Sequence, residues 1–168
     1  TARIILLEAG PRVLPTLPQD LSDYARKALT RMGVDVRTDT RVTGCDRRGV
    51  DLEQGRIDAG TIIWAAGVMA SPAARWLNAK HDRAGRVLVE PDLSVPGHPE
   101  VFVIGDTASV QDDNGRPVPG VAPAAKQMGQ HVGMLIAARI AGRTLPPFRY
   151  RHPGDLATIG RRAAVVTR

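Results

Sequence analysis

Three short apolar runs, each closed by small residues or an acid, constrain this chain more than any other feature. Ile4-Ile5-Leu6-Leu7 is closed by Glu8-Ala9-Gly10, Thr61-Ile62-Ile63-Trp64-Ala65 by Ala66-Gly67, and Val101-Phe102-Val103-Ile104 by Gly105-Asp106. The runs are continuous rather than alternating, so they read as strands buried within a parallel sheet. Between the first two, Leu21, Tyr24 or Ala25, Ala28, Leu29 and Met32 recur at helical spacing. Pro18 suits the first turn of that helix, and Gly33 can end it in a left-handed conformation. Short strands are predicted over residues 34–36 and 41–43, then a glycine-punctuated hairpin region with a strand at 50–52. Strand, helix, strand, hairpin, strand is the order of half a nucleotide-binding α/β unit with an inserted meander.

After Gly67, Ser71-Pro72 opens a short helix carrying Ala73, Ala74, Trp76 and Leu77, and residues 87–89 form a strand. A polar loop covers 111–120. The longest helix is predicted over 123–141, with Ala124, Met128, Val132, Leu135, Ile136 and Ile140 on one side, Pro123 at its start and Gly142 at its end. The last twenty residues carry a strand-like run only at 163–166.

Other classes fall away. Cys45 stands alone, which excludes a disulfide scaffold or a cysteine zinc cluster and fits a reducing, cytoplasmic setting. The histidines at 81, 98, 131 and 152 have no metal-ligand spacing. No apolar stretch is long enough to span a membrane. The 23 Lys+Arg against 17 Asp+Glu leave an excess of +6. That excess is carried from residue 139 onward, where Arg139, Arg143, Arg149, Arg151, Arg161, Arg162 and Arg168 face a single acid, Asp155. A solvated arginine edge is the plainest reading, anionic lipid the second and nucleic acid the third, because only Phe148 and Tyr150 are there to stack on bases.

Three places can carry chemistry. Glu8, at the carboxyl end of its strand, can accept both ribose hydroxyls of a dinucleotide and would repel a 2′-phosphate, favouring NADH over NADPH; the alternative is an exposed loop acid. Such an acid follows a GxGxxG turn by about twenty residues. No two of the 17 glycines lie two apart, so the turn is expected before Thr1 and the chain is expected to start inside a dinucleotide-binding unit. Gly105-Asp106 combines a permissive backbone with an acceptor at a strand end, or else Asp106 caps a helix beginning near Thr107-Ala108-Ser109. The start of the 123–141 helix, around Pro123, Ala124, Ala125 and Gln127, can turn free N–H groups and a positive dipole end towards an anionic or carbonyl-rich ligand. Gln127 can reach a carbonyl or sit in solvent. Ala125, Gly129, Gly133 and Ala137 form a small-residue stripe suited to close packing.

Read together, the three closed runs resemble the two-dinucleotide-domain flavoproteins, with a Rossmann-like FAD/NAD(P)-binding fold. Pro119-Gly120-Val121-Ala122-Pro123-Ala124-Ala125-Lys126-Gln127-Met128-Gly129 is most similar to the type II NADH:quinone oxidoreductases. The resemblance runs from Arg3 to about Arg162. It implies that residues 1–69 are the later part of the NADH domain, 70–148 the returning segment of the FAD domain, and 149–168 the start of a C-terminal region that continues into a membrane-contacting part. It implies that Glu8 binds the NADH ribose, Asp106 with Gly105 the ribityl chain of FAD, and Ala66 and Gly67 the NADH–flavin junction. The start of the long helix, Pro123 to Ala125, would face the flavin ring, and Gln127 the quinone. The family's quinone motif often reads Ala-Gln-x-Ala-x-Gln, and here Pro123 stands in place of the first glutamine. No side chain need act as acid or base, because the cofactor carries the chemistry. The parent is then an FAD-dependent NADH dehydrogenase on the inner face of the cell membrane, and the piece alone is expected to be inactive and to self-associate or swap elements through open sheet edges. Two other readings stand beside it: an NADH-dependent reductase of a ferredoxin- or rubredoxin-like protein, and a non-catalytic module that docks through its basic end.

Overall fold

Strand β1 (Ile4–Leu7), helix α1 (Gln19–Arg31) and strand β2 (Val34–Arg37) form a βαβ unit. The two strands pair in parallel, from Ile4 against Val34 to Leu7 against Arg37. The computed structural model describes residues 2–161 and 163–167. These divide into two units, one made from Thr1–Ala65 with Gly154–Arg168, the other from Ala66–Pro153.

In the first unit, the proline-rich loop before α1 is held by its own helix: Ser22 Oγ donates to the Val13 carbonyl at 2.6 Å. Pro18 caps α1, and Gly33 at φ +85° closes it. The buried face of α1 is Ser22, Ala25 and Ala28, small residues that let the helix lie close to its neighbours. Of the alternatives Tyr24 and Ala25, Ala25 takes the buried place and Tyr24 is exposed; Met32, expected on that face, is exposed too. The β1 strand is half-buried rather than covered on both sides, and β2 is its one paired strand among the described residues. A meander of β3 (Val42–Asp46), β4 (Gly49–Leu52) and β5 (Gly55–Asp58) follows. Gly49 is required there: a Cβ would fall 2.2 Å from the Ile57 carbonyl oxygen.

The strand expected over 61–65 does not form. Ile63 is 85% and Trp64 61% exposed, and no described strand pairs with them. A strand needs a ladder partner, which an apolar run by itself does not supply.

The second unit begins with α2 (Ala73–Trp76) and β6 (Val87–Leu88), then β7 (Ser94–Val95), β8 (His98–Phe102), a 3-10 turn (Gly105–Thr107), β9 (Ala108–Ser109) and α3 (Ala122–Ile140). β6 pairs in parallel with β9, and β7 antiparallel with β8. The strand expected at 101–104 therefore starts earlier and ends at Phe102, as one arm of a hairpin. Ala74, Val87, Val95, Val103 and Ala108 make one core cluster. Leu93, Val118, Ala124, Met128 and Val132 make a second, beneath α3. Ile136 and Ile140, expected on the core side of α3, are exposed; His131 and Ala138 are buried in their stead.

One turn occurs twice. In Asp82-Arg83-Ala84-Gly85-Arg86 and Asp112-Asp113-Asn114-Gly115-Arg116, the aspartate Oδ1 accepts the N–H groups two and four residues on. In both, the glycine takes a positive φ, +82° and +72°. The chain then returns to the first unit as a hairpin, β10 (Leu156–Gly160) with β11 (Ala163–Val166), packed on α1 with Val165 buried.

Candidate functional site

Glu8 follows β1 directly. Its N–H donates to the Arg37 carbonyl and its carbonyl accepts from Thr40, each at 2.9 Å, so the ladder fixes its backbone. One carboxylate oxygen, Oε1, accepts the Gly10 N–H at 2.7 Å; the other makes no bond among the described residues. The acid thus sits at the carboxyl end of a parallel strand with one oxygen open. Beside the strand start, Asp35 lies between Arg37 at 2.8 Å and Arg3 at 2.9 Å, and these guanidinium groups hold its carboxyl below the usual range. Ala66 and Gly67 are exposed, Gly67 at φ +92°.

In the second unit, Gly105 adopts φ +67°, and its N–H donates to Met128 Sδ at 3.2 Å. A Cβ on Gly105 would lie 3.5 Å from Ala125 Cβ, so the turn rests directly on α3. The small-residue stripe does its packing here, at Ala125 and Gly129, whereas Gly133 and Ala137 face solvent. Asp106 is exposed and its carboxylate has no hydrogen-bond partner among the described residues. It caps no helix: residues 107–109, expected to open one, lead into β9. Gly120 lies beside that carboxylate, where a Cβ would stand in ordinary contact, 3.4 Å from Asp106 Oδ1.

The start of α3 offers fewer donors than expected. Pro123 has no N–H, and the N–H groups of Ala124 and Ala125 both fold back on the Val121 carbonyl. The Ala122 N–H remains, with the positive end of the helix dipole. Ala124 is 1% exposed and belongs to the core, so its side chain cannot meet a ligand. Gln127 does reach a carbonyl, that of Arg151: Nε2 donates at 2.9 Å, and Oε1 accepts the Arg151 N–H at 3.0 Å. Sequence reasoning missed the Met128 and Gly120 contributions to the Asp106 turn; the Pro119-Gly120 pair ahead of the helix was the available signal. The basic end is also less free than its composition suggests. Arg139 is bound to Asp92 at 2.6 Å and to the Pro99 carbonyl, and it lies over the Phe102 ring, while Arg149 pairs with Asp113.

A βαβ unit with an acid at its strand end, and a glycine–aspartate turn seated on a helix, define an α/β protein of Rossmann-like build. The sequence matches the pyridine nucleotide-disulphide oxidoreductase family over residues 1–129, and the chain belongs to that family. It is 41% identical over 176 aligned positions to the type II NADH:quinone oxidoreductase Ndh of Mycobacterium tuberculosis, covering 98% of this chain and 37% of that protein. The type II NADH:quinone oxidoreductase of Staphylococcus epidermidis is 32% identical, with 94% and 40% covered. The chain therefore spans well under half the length of these relatives. Among solved structures, NDH2 from Plasmodium falciparum in complex with NADH matches with a TM-score of 0.85 at 18% identity, over 98% of this chain and 49% of that one. That likeness bears on the fold.

Proposed function

We propose that this chain is part of an FAD-dependent NADH dehydrogenase that delivers electrons to a quinone, and that the chain alone is inactive. The observation that carries the reading is Asp106: a carboxylate with no protein partner among the described residues, on a turn joined to α3 through Gly105 and Met128. Open carboxylate oxygens on an immobile turn suit the hydroxyls of a ribityl chain. When bound, FAD supplies the redox chemistry, taking hydride from NADH and giving two electrons to the acceptor. The chain's own residues hold and orient. Glu8 offers its open oxygen to the NADH ribose, and its charge disfavours a 2′-phosphate. The positive end of α3 stabilises negative charge gathered near Pro123 and Ala125. Gln127 is the residue assigned to the quinone. The names of the relatives support that acceptor over an iron–sulfur protein.

No described helix is long and apolar enough to cross a membrane. Contact with the cytoplasmic membrane surface, where a quinone resides, and pairing of two copies through open strand edges complete the reading. The test is the chain extended to the length of its relatives, assayed for flavin absorbance and for NADH oxidation with a soluble quinone. Flavin bound and quinone reduced is the expected result; an extended protein without flavin ends the idea.

A further inference from the structure

We propose that residues 148–152 form a latch across α3 that holds the Gln127 amide when closed and opens when His131 takes up a proton. Several contacts close the latch, beside the packing of Phe148 and Tyr150 against the core under α3. The Gln127 side chain and the Arg151 backbone exchange two hydrogen bonds, as two paired strands would. The Phe148 N–H donates to the Pro91 carbonyl at 2.9 Å. The Phe148 ring meets the His131 ring edge-on, with centroids 5.5 Å apart.

His131 lies one helical turn after Gln127 and is 8% exposed. Its Nε2 is buried without a hydrogen-bond partner among the described residues. An uncharged imidazole tolerates that place, and a protonated one, with an N–H on both nitrogens, does not. The charged and titratable groups around it are few. Asp92 approaches from the loop before β7, but it is already engaged by Arg139 of α3 and by Ser94. The latch contributes Arg149, which pairs with Asp113, and Tyr150, Arg151 and His152, with Tyr150 Oη 3.3 Å from His152 Nδ1. Burial pushes the His131 imidazole below its ordinary value, against a weaker upward pull from Asp92.

The sign follows from linkage. With the latch open, the imidazole regains an ordinary value of about 6.5. Closure is therefore strongest above that pH and is weakened up to about tenfold per unit as pH falls below it, levelling off once the closed state can itself be protonated. Opening frees the Gln127 Nε2 to donate to the carbonyl of a ligand, and its Oε1 to accept from a ligand hydroxyl or N–H. A latch of this kind operates whatever the parent chain oxidises.

The test is hydrogen exchange on the purified 168-residue chain, reading the Arg151 and Phe148 amides against amides in the middle of α3. Between about pH 7.5 and about 5.5, protection of the two latch amides should fall, by up to about tenfold, while the α3 amides hold. His131→Phe keeps a ring and cannot be charged, and should make the latch amides indifferent to pH. If that variant does not fold, His131→Asn serves the same purpose. His152→Asn should keep the wild-type profile. By nuclear magnetic resonance, Phe148→Ala should raise the His131 titration midpoint towards its ordinary value. Latch protection that is flat with pH in the wild type, or that still falls when His131 has been replaced, overturns the proposal.

Discussion

Glu8 and Asp106 differ in what they have left to give. Glu8 spends one oxygen on Gly10 and keeps one, whereas Asp106 keeps both. In the extended protein, Glu8→Ala should raise the KM for NADH by about tenfold, the loss of one charge-assisted bond pair, with a smaller effect for NADPH. Comparative steady-state kinetics with the two nucleotides checks this. Gly49→Ala has no room, and because the obstruction is backbone, β4 and β5 must separate; urea unfolding should show a loss of about 1–3 kcal/mol. The position of Glu8 was legible in the sequence because the end of its strand is punctuated, whereas Asp106, expected at a strand end, lies in the 3-10 turn after β8. The engagement of Gln127 was not, since its partner Arg151 lies 24 positions away in a segment without periodicity.

Among the elements, α3 shows how packing settles what spacing leaves open. Its limits, Ala122–Ile140, are nearly those that Pro123 and Gly142 mark. Its buried face is not, because His131 meets the Phe148 ring and Ala138 is buried, while Ile136 and Ile140 are exposed. The 61–65 run failed for a related reason: continuous hydrophobicity reports a need for burial without naming what buries it. The repeated aspartate–glycine–arginine turn went unread because its signal is two backbone N–H groups donating to one carboxylate, not a hydrophobic period. Met128 joins α3 to the turn that presents Asp106. Met128→Leu keeps the volume and removes the sulfur acceptor, leaving the Gly105 N–H unpaired; stability to urea should drop by about 1 kcal/mol. In the extended protein the same change should loosen flavin, visible as cofactor lost on dialysis.

For the molecule as a whole, the carboxylates set the response to acid. The N–H groups gathered on Asp112, and those with the Arg86 guanidinium on Asp82, where they outweigh the upward push of burial, hold both carboxyls low. A depressed folded value means stability present above the ordinary range and lost as pH falls through it, so urea midpoints should decline steeply below about pH 4. Two units built from three chain segments give a second expectation. Truncation after Pro153 removes the β10–β11 hairpin from α1, and hydrogen exchange should show α1 amides losing protection while those of α3 keep theirs.

The discontinuity of the first unit also sets an order of events at the ribosome. Ala66–Pro153 is contiguous, so its internal contacts can form before residue 154 is added. Helix α1, made earlier, must wait for the whole of that stretch to be translated before the hairpin bearing Val165 arrives to cover it. A slow codon or an arrest just before residue 154 would prolong that wait, leaving a nascent chain whose older part is still bare while its younger part is done, a natural substrate for chaperones.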